Sequence, residues 1–353
     1  MTLLVVLGAV VLTTVAIRAT KPGHAAGVET KQKTVHYSVG IESCTFFDAS
    51  RATEDFATRA DTAGRTLVTE IRYPTTSPVA GRIETQAANP ARRYGPFPLV
   101  VFAPGYETTP DEYSKLLDAW VRAGMVVAAI WFPDTNSLAI KRQGNLDTEA
   151  DIINQPADVG FTTQHLLLAS SSGVGCELVK GLIEKGDVAL AGQSDGADSV
   201  TALGYESQYA YAGLHYVAVA ALSGSLLAPV ASTSSNRELA GAALLVAQSA
   251  TDRCNPPEES TELYRAIPES DKWFLTLESG DHLPPYTGTA DLADFDLVSA
   301  LTTAFFSAEF AHHRPLAAMA ALAKASAGVG VLSSGPAPDL ASLIGDEAAC
   351  YLS

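Results

Sequence analysis

The chain has 353 residues, 47% of them hydrophobic and 18% charged. That balance excludes a disordered, coiled-coil or collagen-like protein and leaves one large domain or two small ones. Its 23 Lys and Arg against 39 Asp and Glu give a formal net charge of −16, which argues against nucleic acid and against docking on anionic lipid.

The first 17 residues carry no charge, and residues 3–12 are a dense apolar run. Arg18 and Lys21 follow, then Pro22, Gly23, His24, Ala25 and Ala26. An apolar core followed by small residues reads as a signal peptide or an N-terminal membrane anchor over residues 1–28. The expected location is therefore secreted or membrane-anchored, outside the cytoplasm. Cysteines stand at 44, 176, 254 and 350. No two are close enough for a CxxC motif, and an exported chain would hold up to two disulfides in any of three pairings.

Residues 34–41 and 65–73 alternate like strands, with a polar stretch at 48–64 between them. After a loop over 74–96, residues 99–103 form a short continuous apolar run, the mark of a strand buried on both faces. Thr109, Pro110 and Glu112 read as N-cap, N1 and N3 of a helix that Gly124 ends. Further buried strands are predicted at 125–132, 188–191, 216–222, 242–247 and 273–277. Helices are predicted over 158–169, 195–204, 258–267 and 291–325, and 133–156 reads as a long polar loop. Residues 29–330 thus form one catalytic-sized domain and 331–353 a tail. Alternating strands and helices imply an α/β fold with a mostly parallel sheet covered on both faces.

Gly192, Gln193, Ser194, Asp195 and Gly196 form a G-x-S-x-G pattern after a predicted strand and before a predicted helix, the context of a nucleophile elbow. Serine needs a base. Of seven histidines, only His282 follows a predicted buried strand, where α/β sheets present reactive groups. The orienting acid should lie between them in the chain, and Asp252 follows the strand 242–247; Glu258, Glu259, Asp271 and Asp281 are rivals. Oxyanion donors are expected from the amide of Asp195 and, after the strand 99–103, from the amide of Tyr106. Tyr106, Trp131, Leu226 and Leu283 stand at predicted C-terminal strand edges and are expected to line the substrate crevice.

These residues, with residues 96–106, the Thr109 capping box and Gly280 to His282, resemble the secreted α/β-hydrolases. Within them the chain is similar to the cutinase-like polyester hydrolases and the platelet-activating-factor acetylhydrolase-like (chlorophyllase-like) esterases, over roughly residues 34–325. The resemblance implies an eight-stranded mixed sheet, hydrolysis of a small or polymeric carboxylic ester, and no cofactor or metal. It carries over Ser194, Asp252 and His282 as the triad, and Tyr106 as oxyanion donor and substrate wall. The polyester hydrolases usually have His or Trp before the nucleophile and Met after it, where this chain has Gln193 and Asp195. A charged Asp195 would oppose an oxyanion unless its side chain turned away. Two other functions share this fold: a non-catalytic lipid- or partner-binding protein, and a peptidase or amidase with the same triad. A monomer is expected.

Overall fold

A computed structural model describes residues 37–76, 84–227, 230, 241–269, 271–313 and 316–340, all within the compact unit His36–Ser353. The expected signal or anchor, the start of the first predicted strand, His24, His36 and Cys350 lie outside the described residues.

The strands are β1 (Ser38–Asp48), β2 (Glu54–Asp55), β3 (Ala60–Asp61), β4 (Arg65–Thr75), β5 (Glu84–Gln86), β6 (Phe97–Ala103), β7 (Val126–Trp131), β8 (Ile183–Gln193), β9 (His215–Leu222), β10 (Ala243–Ser249), β11 (Lys272–Leu277) and β12 (Gly330–Ser334). The helices are α1 (Ser114–Arg122), α2 (Ser137–Arg142), α3 (Gln155–Ser172), α4 (Asp195–Tyr205), α5 (Pro257–Ala266), α6 (Pro284–Thr287), α7 (Leu292–Phe310) and α8 (Leu316–Ala325). Among the described residues, ten strands make one sheet in the order β12-β11-β10-β9-β8-β6-β7-β4-β1-β5, while β2 and β3 pair as a small ribbon in the 48–64 stretch. The six strands from β11 to β7 are parallel, and β4 runs antiparallel between β7 and β1. This is the α/β-hydrolase arrangement expected, enlarged from eight strands by β5 and β12 at the two edges.

Both faces are apolar for a simple reason. Side chains alternate along a strand, so Leu99, Val101 and Ala103 of β6 enter the core under α3, α4 and α5, while Val100 and Phe102 enter the core under α1 and α7. A continuous apolar run is what two helical layers require. The capping box forms as read: the Glu112 carboxylate accepts the Thr109 N–H at 2.9 Å, ahead of a 3₁₀ turn and α1. The 133–156 segment is not all loop. Asn136 caps α2 by accepting the Leu138 and Ala139 amides.

One buried ion cluster fixes that segment. The fully buried Arg65 guanidinium donates to Asp151 at 2.8 Å and Asp158 at 2.7 Å. It ties the start of β4 to the head of α3 and to the turn before it. Cys44 of β1 is disulfide-bonded to Cys176 beyond α3, with Cα atoms 5.6 Å apart. Cys254 is disulfide-bonded as well. No described helix is long and apolar enough to cross a membrane.

Candidate active site

Ser194 sits in the turn between β8 and α4 at φ +53°, ψ −127°. A non-glycine residue there is strained, by roughly 1–3 kcal/mol. The surroundings hold it: the Ser194 amide donates to the Leu222 carbonyl at 2.9 Å, clamping the turn to β9. A Cβ on Gly196 would collide with the Ala103 and Pro104 carbonyls. A Cβ on Gly105 would lie 2.6 Å from Gln193 Oε1 and 3.1 Å from Ser194 Cβ. Only glycine lets the loop after β6 lie this close to the turn.

His282 Nε2 lies 2.9 Å from Ser194 Oγ, and its Nδ1 lies 2.9 Å from Asp252 Oδ2. His282 stands on the loop after β11. Ser249 and Thr251 hydroxyls hold that loop by donating to the Gly280 carbonyl at 2.7 and 2.8 Å. Asp252 is fully buried. It accepts Ser223 Oγ at 2.9 Å, Gln248 Nε2 at 3.2 Å, and the Cys254 and Asn255 amides at 2.9 and 3.1 Å. Burial pushes its pKa up, but the facing His282 and these donors more than reverse this and hold it below the usual value. With Asp252 ionised, Nδ1 carries the ring proton and Nε2 is left as the acceptor.

The rivals for the acid lie elsewhere. Glu258 and Glu259 open α5, Asp271 precedes β11, and Asp281 is 3.6 Å from Arg253. Of the other described histidines, His165 stacks on Phe161 in α3, and His215 and His312 face Asp187. His313 follows α7.

Among the described residues, the amides of Tyr106 and Asp195 donate to no other residue, which leaves both open to an acceptor from outside the chain. The Tyr106 hydroxyl accepts the Thr148 amide at 3.1 Å, so the turn fixed by Arg65 also steadies the Tyr106 ring. The Asp195 side chain differs from the charged group read in the sequence. It is buried, and among the described residues Oδ2 has no hydrogen-bond partner. Burial, reinforced by Glu149, pushes its pKa up to about 8, opposed by a bond from its own amide. Near pH 7 it is mostly a neutral acid, and the local negative charge expected beside the Tyr106 and Asp195 amides is largely absent.

Leu283 directly follows His282 and is half-buried against the α1/α7 core, while Leu226 packs on the opposite core. Trp131 is placed differently. It lines an apolar groove with Phe47, Val68, Pro133 and Leu138, whose walls include none of Ser194, His282 and Tyr106.

Two residues escaped the sequence reading. Gln193 is buried, accepts the Tyr113 hydroxyl at 2.6 Å, and sets its Nε2 3.2 Å from His282 Nε2. Ser223, at φ +46°, bridges Asp252 and the Tyr286 hydroxyl, each at 2.9 Å. The departure at position 193 was a visible signal; nothing local marked Ser223. Among the described residues, no cluster of His, Cys, Asp and Glu is placed to hold a metal ion.

No protein-family model matches the chain, and no curated protein sequence matches it. Among solved structures it is similar to a ferulic acid esterase from Streptomyces cinnamoneus, with a TM-score of 0.56 and 20% identity, covering 79% of this chain and 90% of that one. The likeness is one of fold.

Proposed function

We propose that the protein is a serine carboxylic-ester hydrolase working through an acyl-enzyme. One observation carries this reading: the Ser194 hydroxyl, the His282 ring and the buried Asp252 carboxylate form a continuous relay with both links at 2.9 Å. Ser194 Oγ attacks the ester carbonyl carbon as its proton passes to His282 Nε2. Asp252 stays ionised and stabilises the imidazolium. The oxyanion takes the Tyr106 and Asp195 amides; one such donor is worth about 10²–10³ in kcat. Nε2–H then protonates the departing alcohol, and the acyl group remains on Ser194. Water repeats the sequence, giving the acid and free Ser194.

The substrate in this reading is a neutral ester, small or polymeric. Tyr106, Leu226 and Leu283 supply apolar walls with few fixed polar groups to demand one substrate. The cutinase-like and platelet-activating-factor acetylhydrolase-like subgroup of the sequence resemblance fits this. The disulfides at Cys44–Cys176 and at Cys254 support export, with residues 1–28 as signal or anchor. The enzyme acts as a monomer in this reading.

The test is a ladder of p-nitrophenyl esters of rising acyl length, with matched anilides, run on wild type and Ser194→Ala. The expected result is ester turnover, best for short to medium neutral acyl chains and lost in Ser194→Ala. Anilide turnover rivalling the esters would move the reading to an amidase. No turnover of either would point to a binding protein on this fold.

A further inference from the structure

Gln193 ends β8, one residue before Ser194, and is 1% exposed. Its carboxamide touches both working parts of the site. Oε1 accepts the Tyr113 O–H at 2.6 Å. Tyr113, fully buried, is 3.2 Å from Thr108 Oγ1 and accepts the Gly105 amide at 3.4 Å, so it grips the loop that carries the Tyr106 amide. On its other side, Gln193 Nε2 donates to the His282 carbonyl at 3.3 Å and lies 3.2 Å from His282 Nε2. The donor directions agree along the chain: Gly105 N–H to Tyr113 oxygen, Tyr113 O–H to Gln193 Oε1, Gln193 N–H to His282.

Resting on the esterase reading, we propose that Gln193 is a positioning residue that couples the oxyanion loop to the base and shares the His282 Nε2 lone pair with Ser194. The neutral ring has one lone pair at Nε2. Ser194 O–H, at 2.9 Å, and Gln193 N–H, at 3.2 Å, both point to it. After Ser194 gives up its proton, Nε2 bears hydrogen and can accept nothing. The Gln193 N–H then faces a donor, and only the bond to the His282 carbonyl holds it. Gln193 therefore favours the neutral, receptive ring and keeps it seated, without touching substrate. The charged groups around His282 are Asp252 after β10, Asp281 in its own loop with Arg253 opposite, and Asp291 and Asp294 behind Gly280. None of them changes in the variants below.

Gln193→Met keeps the volume and removes both ends of the carboxamide. We expect kcat for a p-nitrophenyl ester to fall 10- to 100-fold with KM within twofold, the range a small misplacement of a base gives. Tyr113→Phe should fall three- to tenfold alone and less than twofold in the Gln193→Met background, because the two act in one chain. Gln193→Glu keeps the acceptor for Tyr113 but turns an oxygen toward Nε2. It should raise the pKa of the acid limb of kcat/KM by about one unit or more, since a carboxylate favours the imidazolium. A residue that merely packs would move none of these. Kinetics of Gln193→Met within twofold of wild type, multiplicative effects of Gln193→Met and Tyr113→Phe, or an unmoved acid limb in Gln193→Glu would overturn the proposal. Tyr113→Phe, which leaves β8 intact, carries the test should Gln193→Met not fold. Fluorophosphonate labelling of Ser194 in wild type separates the two levels. A labelled, active wild type with indistinguishable variants removes only the role of Gln193; an unlabelled, inactive wild type removes the esterase reading and this one together.

Discussion

Replacing Asp195 by asparagine isolates the buried acid beside Ser194. A carboxyl moved from its usual 3.8 to about 8 corresponds to roughly 5–6 kcal/mol of preference for the protonated form in the native state, at about 1.36 kcal/mol per pKa unit. The sign follows from proton counting. Between these two values the native state holds a proton that the unfolded chain has released. Wild-type stability from this group is thus fully present below about pH 4, is lost as pH rises, and is exhausted above about pH 8. The substituted amide does not titrate. Its extra N–H, placed where Oδ2 has no partner among the described residues, costs about 1–3 kcal/mol at every pH. The stability of Asp195→Asn minus wild type should therefore climb by about 1.4 kcal/mol per pH unit from pH 5 to 8 and level off by pH 9. The variant should be near parity at pH 5 and the more stable protein at pH 8. Guanidinium unfolding followed by tryptophan fluorescence at one-unit steps measures this. Activity gives a second readout. When ionised, the carboxylate competes for its own amide and opposes the oxyanion. Wild-type kcat should fall about 10- to 100-fold above pH 8, less than the ~10²–10³ of a donor removed outright, and Asp195→Asn should keep its rate. A stability gap that stays constant from pH 5 to 9 would refute the reasoning.

Ser194→Ala or His282→Ala should each lower kcat on the order of 10⁶, and the double variant little more, because the members act as a unit; Asp252→Ala should cost on the order of 10⁴, read by initial rates on a p-nitrophenyl ester. Ser223→Ala removes one of the five donors to Asp252 and leaves the Tyr286 hydroxyl without that partner, so it should lower stability by about 1–3 kcal/mol and slow turnover while leaving KM near wild type. Thiol titration of the denatured, unreduced protein should find fewer than four free thiols. Cys44→Ala with Cys176→Ala should lower stability by about 5 kcal/mol for a loop of 132 residues, on the chain-entropy model. Esters carrying a carboxylate beside the scissile bond should gain on matched neutral esters in Asp195→Asn at pH 9 and not at pH 6, since the charge they meet exists only when Asp195 is ionised.

The parallel strands and the elbow were legible because they are local. A strand buried on both faces must be an apolar run, and β6, β7, β9 and β10 are. A serine turn between strand and helix needs its glycines, and Gly192 and Gly196 stand there. His282 and Asp252 could be picked because both follow such strands. The sequence could not show which buried polar groups meet. Gln193 and Tyr113 lie 80 residues apart, and Ser223 reaches Asp252 only because β9 and β10 are neighbours. The state of Asp195 was invisible because protonation follows burial, not residue type. A strand end alone does not say which face a side chain takes: Trp131 lines the groove beside Phe47 and Val68, whose walls include none of Ser194, His282 and Tyr106. The predicted helix 291–325 proved to be α7 and α8. Strand β12 is short, and only Leu332 of its residues packs on a core, too weak a pattern to read as a strand.

The ring of donors around Asp252 has a consequence for a protein lacking its base. Four of the five contacts come from Ser223, Gln248 and the amides of Cys254 and Asn255, and all four survive removal of His282. They hold the carboxylate in position, while the facing His282 is the largest influence keeping it ionised against burial. In His282→Gly the carboxylate would stay aimed at a vacated slot one imidazole wide, bordered by Ser194 and Gln193, with its pKa raised by burial once the facing ring is gone. Free imidazole supplied in solution would find there a fixed carboxyl group for one nitrogen, which its own presence would help ionise, and a serine hydroxyl for the other. The scaffold would thus accept its general base as a diffusible reagent, with a saturable dependence of rate on imidazole concentration.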